Sequence, residues 1–201
     1  MTTLERFNLT KEPDIKVWWP RLVIDDRFYK EGMPILYTFF EEFRFLSNFH
    51  VQPITWQGKV YQTTEAAYQA DKTDNEDFKE QIRLASGPGS ARKMGQAVLL
   101  RKNWDAEKEQ AMREIVTLKF MANADLAMKL MKTDGQYLVE STVWHDNFWG
   151  ICIKKDCEKG CGEKKGLNTL GKILMEIRQA LCEGYLEEIK AMGRIVRHEN
   201  S

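Results

Sequence analysis

Val60-Tyr61-Gln62-Thr63-Thr64-Glu65-Ala66-Ala67-Tyr68-Gln69-Ala70-Asp71-Lys72 reads as the end of a strand feeding directly into a helix. Thr63 or Thr64 is placed to cap the first orphan N–H groups of that helix. A helix beginning there puts Glu65, Gln69 and Lys72 at i, i+4 and i+7, on one face. The same spacing describes a solvated face with weak charge pairing. A carboxylate, an amide and an ammonium aligned beside Ala66, Ala67 and Ala70 also make a candidate site.

Working outward, the chain before this stretch is strand-like and the chain after it is helical. Ile35 to Phe40 is an apolar, aromatic run of strand length, and Phe45 to Phe49 reads as a loop. Val51 to Tyr61 carries two short strands around Gln57-Gly58, a hairpin signal. Beyond Lys72, Glu76 to Ala85 forms a short helix closed by Ser86-Gly87-Pro88-Gly89, and Ser90 caps the next through Gln96. Asp105 opens a helix in which Met112, Ile115, Val116, Lys119 and Phe120 recur at helical spacing. Ala124 to Lys132 is a further helix, and Tyr137 to Ser141 a strand. From about Gly166, Leu170, Leu174, Ile177 and Leu181 form an apolar stripe, and Gly184 separates off a terminal helix. The expectation is an α+β fold: a helix-rich single domain with a small β-sheet. Residues 1–33 show no sustained period and read as an N-terminal extension with one short strand at Ile15 to Trp19. The domain itself spans 34–184, and 185–201 is a C-terminal helix and tail.

The chain has 201 residues, 43% of them apolar, enough for one core. Lysine plus arginine equals aspartate plus glutamate at 30 each, so no global basic field announces nucleic acid. A local basic patch, such as the lysines between Lys154 and Lys165, stays open. Four cysteines and an N-terminus without an apolar core segment predict a reducing, cytoplasmic setting. No run is long enough to span a bilayer, so no membrane role is expected.

Four further constellations can carry chemistry. Trp144-His145-Asp146-Asn147-Phe148-Trp149-Gly150 follows a strand and combines rings that can stack on a base with an acid, Asp146. It reads equally as a loop pinned into the core by its tryptophans. Arg101-Lys102-Asn103-Trp104 offers two cations for a phosphate and an indole for a base, or else Trp104 is a hydrophobic staple. Gly166-Leu167-Asn168-Thr169-Leu170-Gly171 opens a helix whose free N–H groups can meet a phosphate, or Asn168 is a plain cap. Cys152-x4-Cys157-x3-Cys161 with His145 nearby invites a zinc reading. The spacing fits no common ligand pattern, so no metal and no other cofactor is expected.

The ordered set Ser47-Asn48-Phe49, Gln62-Thr63-Thr64-Glu65, Tyr68-Gln69-Ala70-x-Lys72, Ala91-x-x-Met94-Gly95, Arg101-Lys102-x-Trp104, Lys119-Phe120, Leu138-Val139-Glu140, Asp146-x-x-Trp149-Gly150, Gly166-x-Asn168-x-Leu170-Gly171 and Leu174-Met175-x-x-Arg178 resembles the NADAR (YbiA-like) family. The resemblance runs from about Tyr37 to Leu181. Family members look like N-glycosidases, one branch cutting ribosylamine phosphates of riboflavin synthesis and another removing ADP-ribose from guanine bases. The resemblance thus implies cleavage of a ribose C1–N bond, with a phosphorylated ribosyl small molecule or an ADP-ribosylated nucleic acid as partner. It implies Glu65, Lys72 and Asp146 as catalytic residues. For substrate binding it implies Asn48, Gln69, Arg101, Lys102, Trp104, Trp149, Gly150, Asn168 and Gly171. This chain departs from the family pattern in its extension and in the insertion Ile151 to Lys165, which carries three cysteines. A non-catalytic ADP-ribose or nucleotide-binding module is the alternative in the same residues, and a helical adaptor the blander one. For the enzyme, Glu65 can steady an oxocarbenium-like sugar or activate water, while Lys72 can attack C1 to form an imine.

Overall fold

The computed structural model describes residues 19–154 and 159–199, so the strand expected at Ile15 to Trp19 falls almost wholly outside the described residues. Trp19 itself begins a 3-10 turn, Trp19–Arg21. The fold is α+β. Strands β1 (Ile35–Leu36), β2 (Ile54–Trp56) and β3 (Lys59–Tyr61) precede helices α1 (Thr64–Ala70), α2 (Glu76–Arg83), α3 (Pro88–Gly95), α4 (Trp104–Met121) and α5 (Ala124–Met131). Then come β4 (Tyr137–Leu138), β5 (Ser141–Thr142), β6 (Ile151–Cys152) and helix α6 (Thr169–Glu199).

β2 and β3 form the expected hairpin, with Gln57 at φ 48° and Gly58 at φ 78° supplying the two left-handed turn residues. The expected strand Ile35 to Phe40 is shorter. β1 pairs in parallel with β4 only through Ile35↔Tyr137 and Leu36↔Leu138. The chain then enters a 3-10 helix, Glu41–Leu46, whose last two residues fall in the stretch Phe45 to Phe49 expected as a loop. The expected strand Tyr137 to Ser141 is divided: its first half pairs with β1, its second with β6 through Ser141↔Ile151 and Thr142↔Cys152. At the break, Glu140 N–H turns to Asn168 Oδ1 at 2.9 Å instead of to a strand.

Helix boundaries also differ from the sequence reading, three of them for a clear physical reason. α3 starts at Pro88, not after Ser90, because proline is well suited to the first helical turn. α4 starts at Trp104, one residue early, from a left-handed Asn103 (φ 64°). α6 runs unbroken through Gly184, since a single glycine among helix formers costs only about 1 kcal/mol.

The core lies between α4, α6 and the short strands. From α4 it takes Met112, Ile115, Val116 and Phe120; from α6 Leu170, Leu174 and Ile177; from the strands Tyr137, Leu138 and Ile151. Residues 19–33 pack on this body: Trp19 and Tyr29 meet Tyr137 edge-on at 6.2 and 5.5 Å. Leu22 bridges to Gly166. Among the described residues no helix is long and apolar enough to cross a membrane.

Candidate active site

α1 is buried along its whole length, and this decides where the site forms. Thr63 caps it by accepting from Ala66 N–H at 3.1 Å. Thr64 Oγ1 donates to Asn48 O at 3.1 Å, and Glu65 N–H donates to the same carbonyl. The Ser47-Asn48-Phe49 turn is thereby fastened to the helix start. Alanines at 66, 67 and 70 let neighbouring elements close around the helix, so its polar residues face an internal space rather than bulk water. Glu65 and Gln69, one turn apart, are joined at 2.9 Å by a hydrogen bond from Gln69 Nε2. The helix ends at Ala70, and Asp71 is held by Trp56 Nε1 (3.2 Å), Gln57 Nε2 (2.8 Å) and Arg101 (3.1 Å). Lys72 therefore follows the helix rather than riding on it, and still lines the same space as Glu65 and Gln69.

That space is a cavity of about 870 Å³. Its far wall carries Glu140, from the break between β4 and β5, and Asp146 from the loop before β6. Asp146 Oδ1 accepts from the N–H groups of Phe148 and Trp149, both at 2.9 Å, so the loop closes around its own carboxylate. Tyr68, Trp104 and Trp149 form an aromatic side, with ring centroids 5.2 Å (Tyr68–Trp104) and 5.5 Å (Tyr68–Trp149) apart. Arg44, Arg92 and Lys108 supply positive charge around the lining. Arg92 lies over the half-exposed Trp144 ring at 5.3 Å, and Lys108 over Phe148 at 4.8 Å.

Burial disfavours the charged form of the groups it encloses. It pushes the Glu65 carboxyl up, opposed by the Gln69 hydrogen bond and by the charges of Arg92 and Lys72. Burial pulls the Lys72 amine down, with Glu65 opposing. Glu140 is pushed up to about 8 by burial, reinforced by the charges of Asp146 and Glu65. Behind the wall, fully buried Lys119 is drawn down to about 7 by desolvation, and donates to Ser47 O at 2.9 Å. Several carboxylates sharing one low-dielectric space cannot all ionise together.

The fold brings Asn48, Glu65, Gln69, Lys72, Trp104, Asp146 and Trp149 to the cavity lining. It does not bring Arg101, Lys102, Gly150, Asn168 or Gly171 there. Arg101 is committed elsewhere: to Asp71 O at 2.8 Å, to the Asp71 carboxylate, to Glu107, and over the Trp104 ring at 5.0 Å. Lys102 is exposed and outside the lining. Asn168 is fully buried, its Nδ2 donating to Leu138 O at 2.8 Å and its Oδ1 accepting from Glu140 N–H. Nor is the start of α6 open to a phosphate. The N–H groups of Leu167, Asn168, Thr169 and Leu170 donate to the carbonyls of Asn147, Gly150, Phe148 and Trp149 at 2.8–3.2 Å. Gly150 and Gly171 serve packing, since an added Cβ would collide with Glu140 O at one and Leu138 O at the other. Arg44, Arg92, Lys108 and Glu140 are lining residues that no role was read for. Of these, Glu140 is a specified residue of the family motifs and Arg92 falls on an unspecified position of Ala91-x-x-Met94-Gly95.

A family model described as the NADAR domain matches residues 27–182, a span containing every residue of the cavity lining. The chain belongs to the NADAR family. Within the family it is similar to N-glycosidase YbiA of Escherichia coli (strain K12), 38% identical over 148 residues that cover 73% of this chain and 86% of that protein. The NMR structure of the E. coli protein YbiA superposes with a TM-score of 0.63 at 36% identity, covering 80% of this chain and 92% of that one. Similarity also extends to riboflavin biosynthesis protein VVA0006 of Vibrio vulnificus (strain YJ016), 32% identical over 71% of this chain and 37% of that longer protein.

Proposed function

We propose that this NADAR protein is an N-glycosidase that hydrolyses a ribose C1–N bond, and that its substrate is a phosphorylated ribosylamine. The observation that carries the reading is the convergence of Glu65, Lys72, Glu140 and Asp146 on one cavity, where burial raises the Glu65 and Glu140 carboxyls and lowers the Lys72 amine. The names of similar proteins, an N-glycosidase and a riboflavin biosynthesis protein, support the reaction and the substrate class respectively. A cavity of about 870 Å³ suits a whole small molecule. Arg44, Arg92 and Lys108 take the phosphate, in place of Arg101 and Lys102.

Breaking the C1–N bond builds positive charge on the ribose and negative charge on the departing nitrogen. Glu140, still protonated near neutrality, gives its proton to that nitrogen. Glu65 and Asp146 face the sugar and offset its charge. Two routes complete the reaction. In one, water adds to C1 and a carboxylate takes its proton. In the other, the Lys72 amine bonds to C1 of the ring-opened sugar as the substrate nitrogen leaves, and water then hydrolyses the imine to restore the lysine.

The test is incubation of the purified chain with a ribosylamine phosphate of riboflavin synthesis and, separately, with a guanine-ADP-ribosylated oligonucleotide. Products are followed by mass spectrometry. Release of ribose 5-phosphate, lost in Glu65→Gln, Lys72→Ala and Glu140→Gln, is the expected result. Release of ADP-ribose from the oligonucleotide alone would move the substrate to nucleic acid. Binding of ADP-ribose with no turnover of either would make this a binding module. Borohydride added during turnover separates the routes: a reduced adduct on the Lys72 peptide marks the imine, and its absence marks direct attack by water.

A further inference from the structure

Outside the cavity, the fold gathers three metal-ligating side chains that the sequence spacing had set aside. One ligand atom each from His145, Cys152 and Cys161 lies within 4.8 Å of the others. Cys161 Sγ stands 3.8 Å from His145 Nδ1. Tetrahedral zinc with its usual bond lengths to sulfur and nitrogen separates neighbouring ligand atoms by about 3.5–3.8 Å, so contraction of roughly an ångström completes the geometry. Both thiols are buried and the imidazole is half-buried.

The backbone around the cluster is fixed from outside. Arg21 Nη1 donates to Cys161 O at 2.6 Å and its Nη2 to Cys152 O at 2.8 Å, so one guanidinium spans both cysteines. Cys152 N–H donates to Asn147 Oδ1 at 2.9 Å, joining β6 to the loop that carries His145. His145 sits at φ 71°, a left-handed conformation uncommon for a non-glycine residue. Two cysteines packed only as small hydrophobes would not need an imidazole nitrogen beside them, nor one in a strained turn.

We propose that His145, Cys152 and Cys161 bind a zinc ion. Two thiolates and a neutral imidazole, ligating through Nδ1, balance the charge of the cation and suit its borderline-soft character. Three protein ligands leave one coordination position for a further donor. The site lies outside the cavity lining and acts on the fold. It clamps the connection after β6 to the residue immediately before Asp146, and so holds the loop that forms one wall of the cavity. The proposal does not depend on which reaction the cavity performs.

The test is the metal content of the full chain, loaded with Zn²⁺ and dialysed, together with the absorption spectrum after Co²⁺ loading. The expected result is about one zinc per chain and a thiolate-to-cobalt charge-transfer band. Both should be lost in Cys161→Ser and His145→Ala and retained in Cys182→Ser, with circular dichroism checking that each variant folds. Alkylation mapping on the unmutated protein gives a second reading. Cys152 and Cys161 should react faster after chelator treatment, while Cys182 keeps its rate. Three results would overturn the proposal: no retained zinc and no thiolate band, undiminished zinc in a folded Cys161→Ser, or a Cys152–Cys161 disulfide in the protein as isolated.

Discussion

Gln69 shows how tightly single residues are fitted around the cavity. Its Nε2 serves Glu65, while its Oε1 is buried with no hydrogen-bond partner among the described residues. Such an acceptor is costly unless a substrate donor completes it. Gly95 makes room for it, because a Cβ there would overlap Gln69 Oε1 and the carbons behind it. Gly95→Ala should therefore displace Gln69 and break its bond to Glu65. We expect a fall in kcat/KM of about tenfold or more, the equivalent of one lost hydrogen bond of ~1.5 kcal/mol. Overpacking should lower stability by roughly 1–3 kcal/mol. Steady-state kinetics beside a urea titration checks both, and unchanged kcat/KM would remove Gln69 from the binding set. Arg101 gives the opposite lesson. Its charge looked available in the sequence, and the fold uses all of it on Asp71, Glu107 and Trp104.

At the scale of elements, the junction between β4, β5 and α6 positions the far wall. Asn168, at φ 52° just before α6, takes Glu140 N–H and gives to Leu138 O, replacing the two ladder bonds that the broken strand lacks. Asn168→Ala leaves both backbone groups buried and unpaired, and should cost roughly 2–4 kcal/mol. Asn168→Asp keeps the acceptor and loses the donor, so it should fall between alanine and the unmutated protein. Urea midpoints order the three, and an alanine variant as stable as the parent would show that water replaces the side chain. The junction was half legible. Asn168 as a cap follows from its place before an apolar helix, but its two bonds join residues 28 and 30 positions away.

Across the whole molecule, burial of Glu140 and Lys119 links stability to pH. The folded Glu140 carboxyl titrates near 8 against 4.5 for the unperturbed group. Its stabilising contribution is complete below pH 4.5 and is lost as pH rises towards 8. Lys119 is shifted down, from 10.5 to about 7, so its contribution is complete above pH 10.5 and is lost as pH falls towards 7. Together they predict declining stability from pH 4.5 to 7, opposed slopes from 7 to 8, and a recovery above 8. Glu140→Gln should flatten the acid-side decline and Lys119→Met the alkaline recovery, read as the difference in urea midpoint from the parent at each pH. Parallel curves for parent and variant would show that the group is ordinarily solvated when folded.

The sequence by itself determined the local pieces and the family. The Thr63 cap, the Gln57-Gly58 hairpin and the α4 and α6 stripes each depend on neighbours within a few residues, so composition and period expose them. Motif order along the chain likewise pointed to NADAR. Glu65, Gln69 and Lys72 were legible together because one short stretch of adjoining chain holds all three. Only the tertiary structure decided which charges face the cavity. Arg92 and Glu140 come from elements far apart in sequence, and the proton held by Glu140 depends on desolvation, which no local pattern records. The same holds for the capture of Arg101 by Asp71 and for the meeting of His145 with Cys152 and Cys161. Local interactions are written in adjacent residues, whereas burial and long-range pairing exist only once the chain has closed on itself.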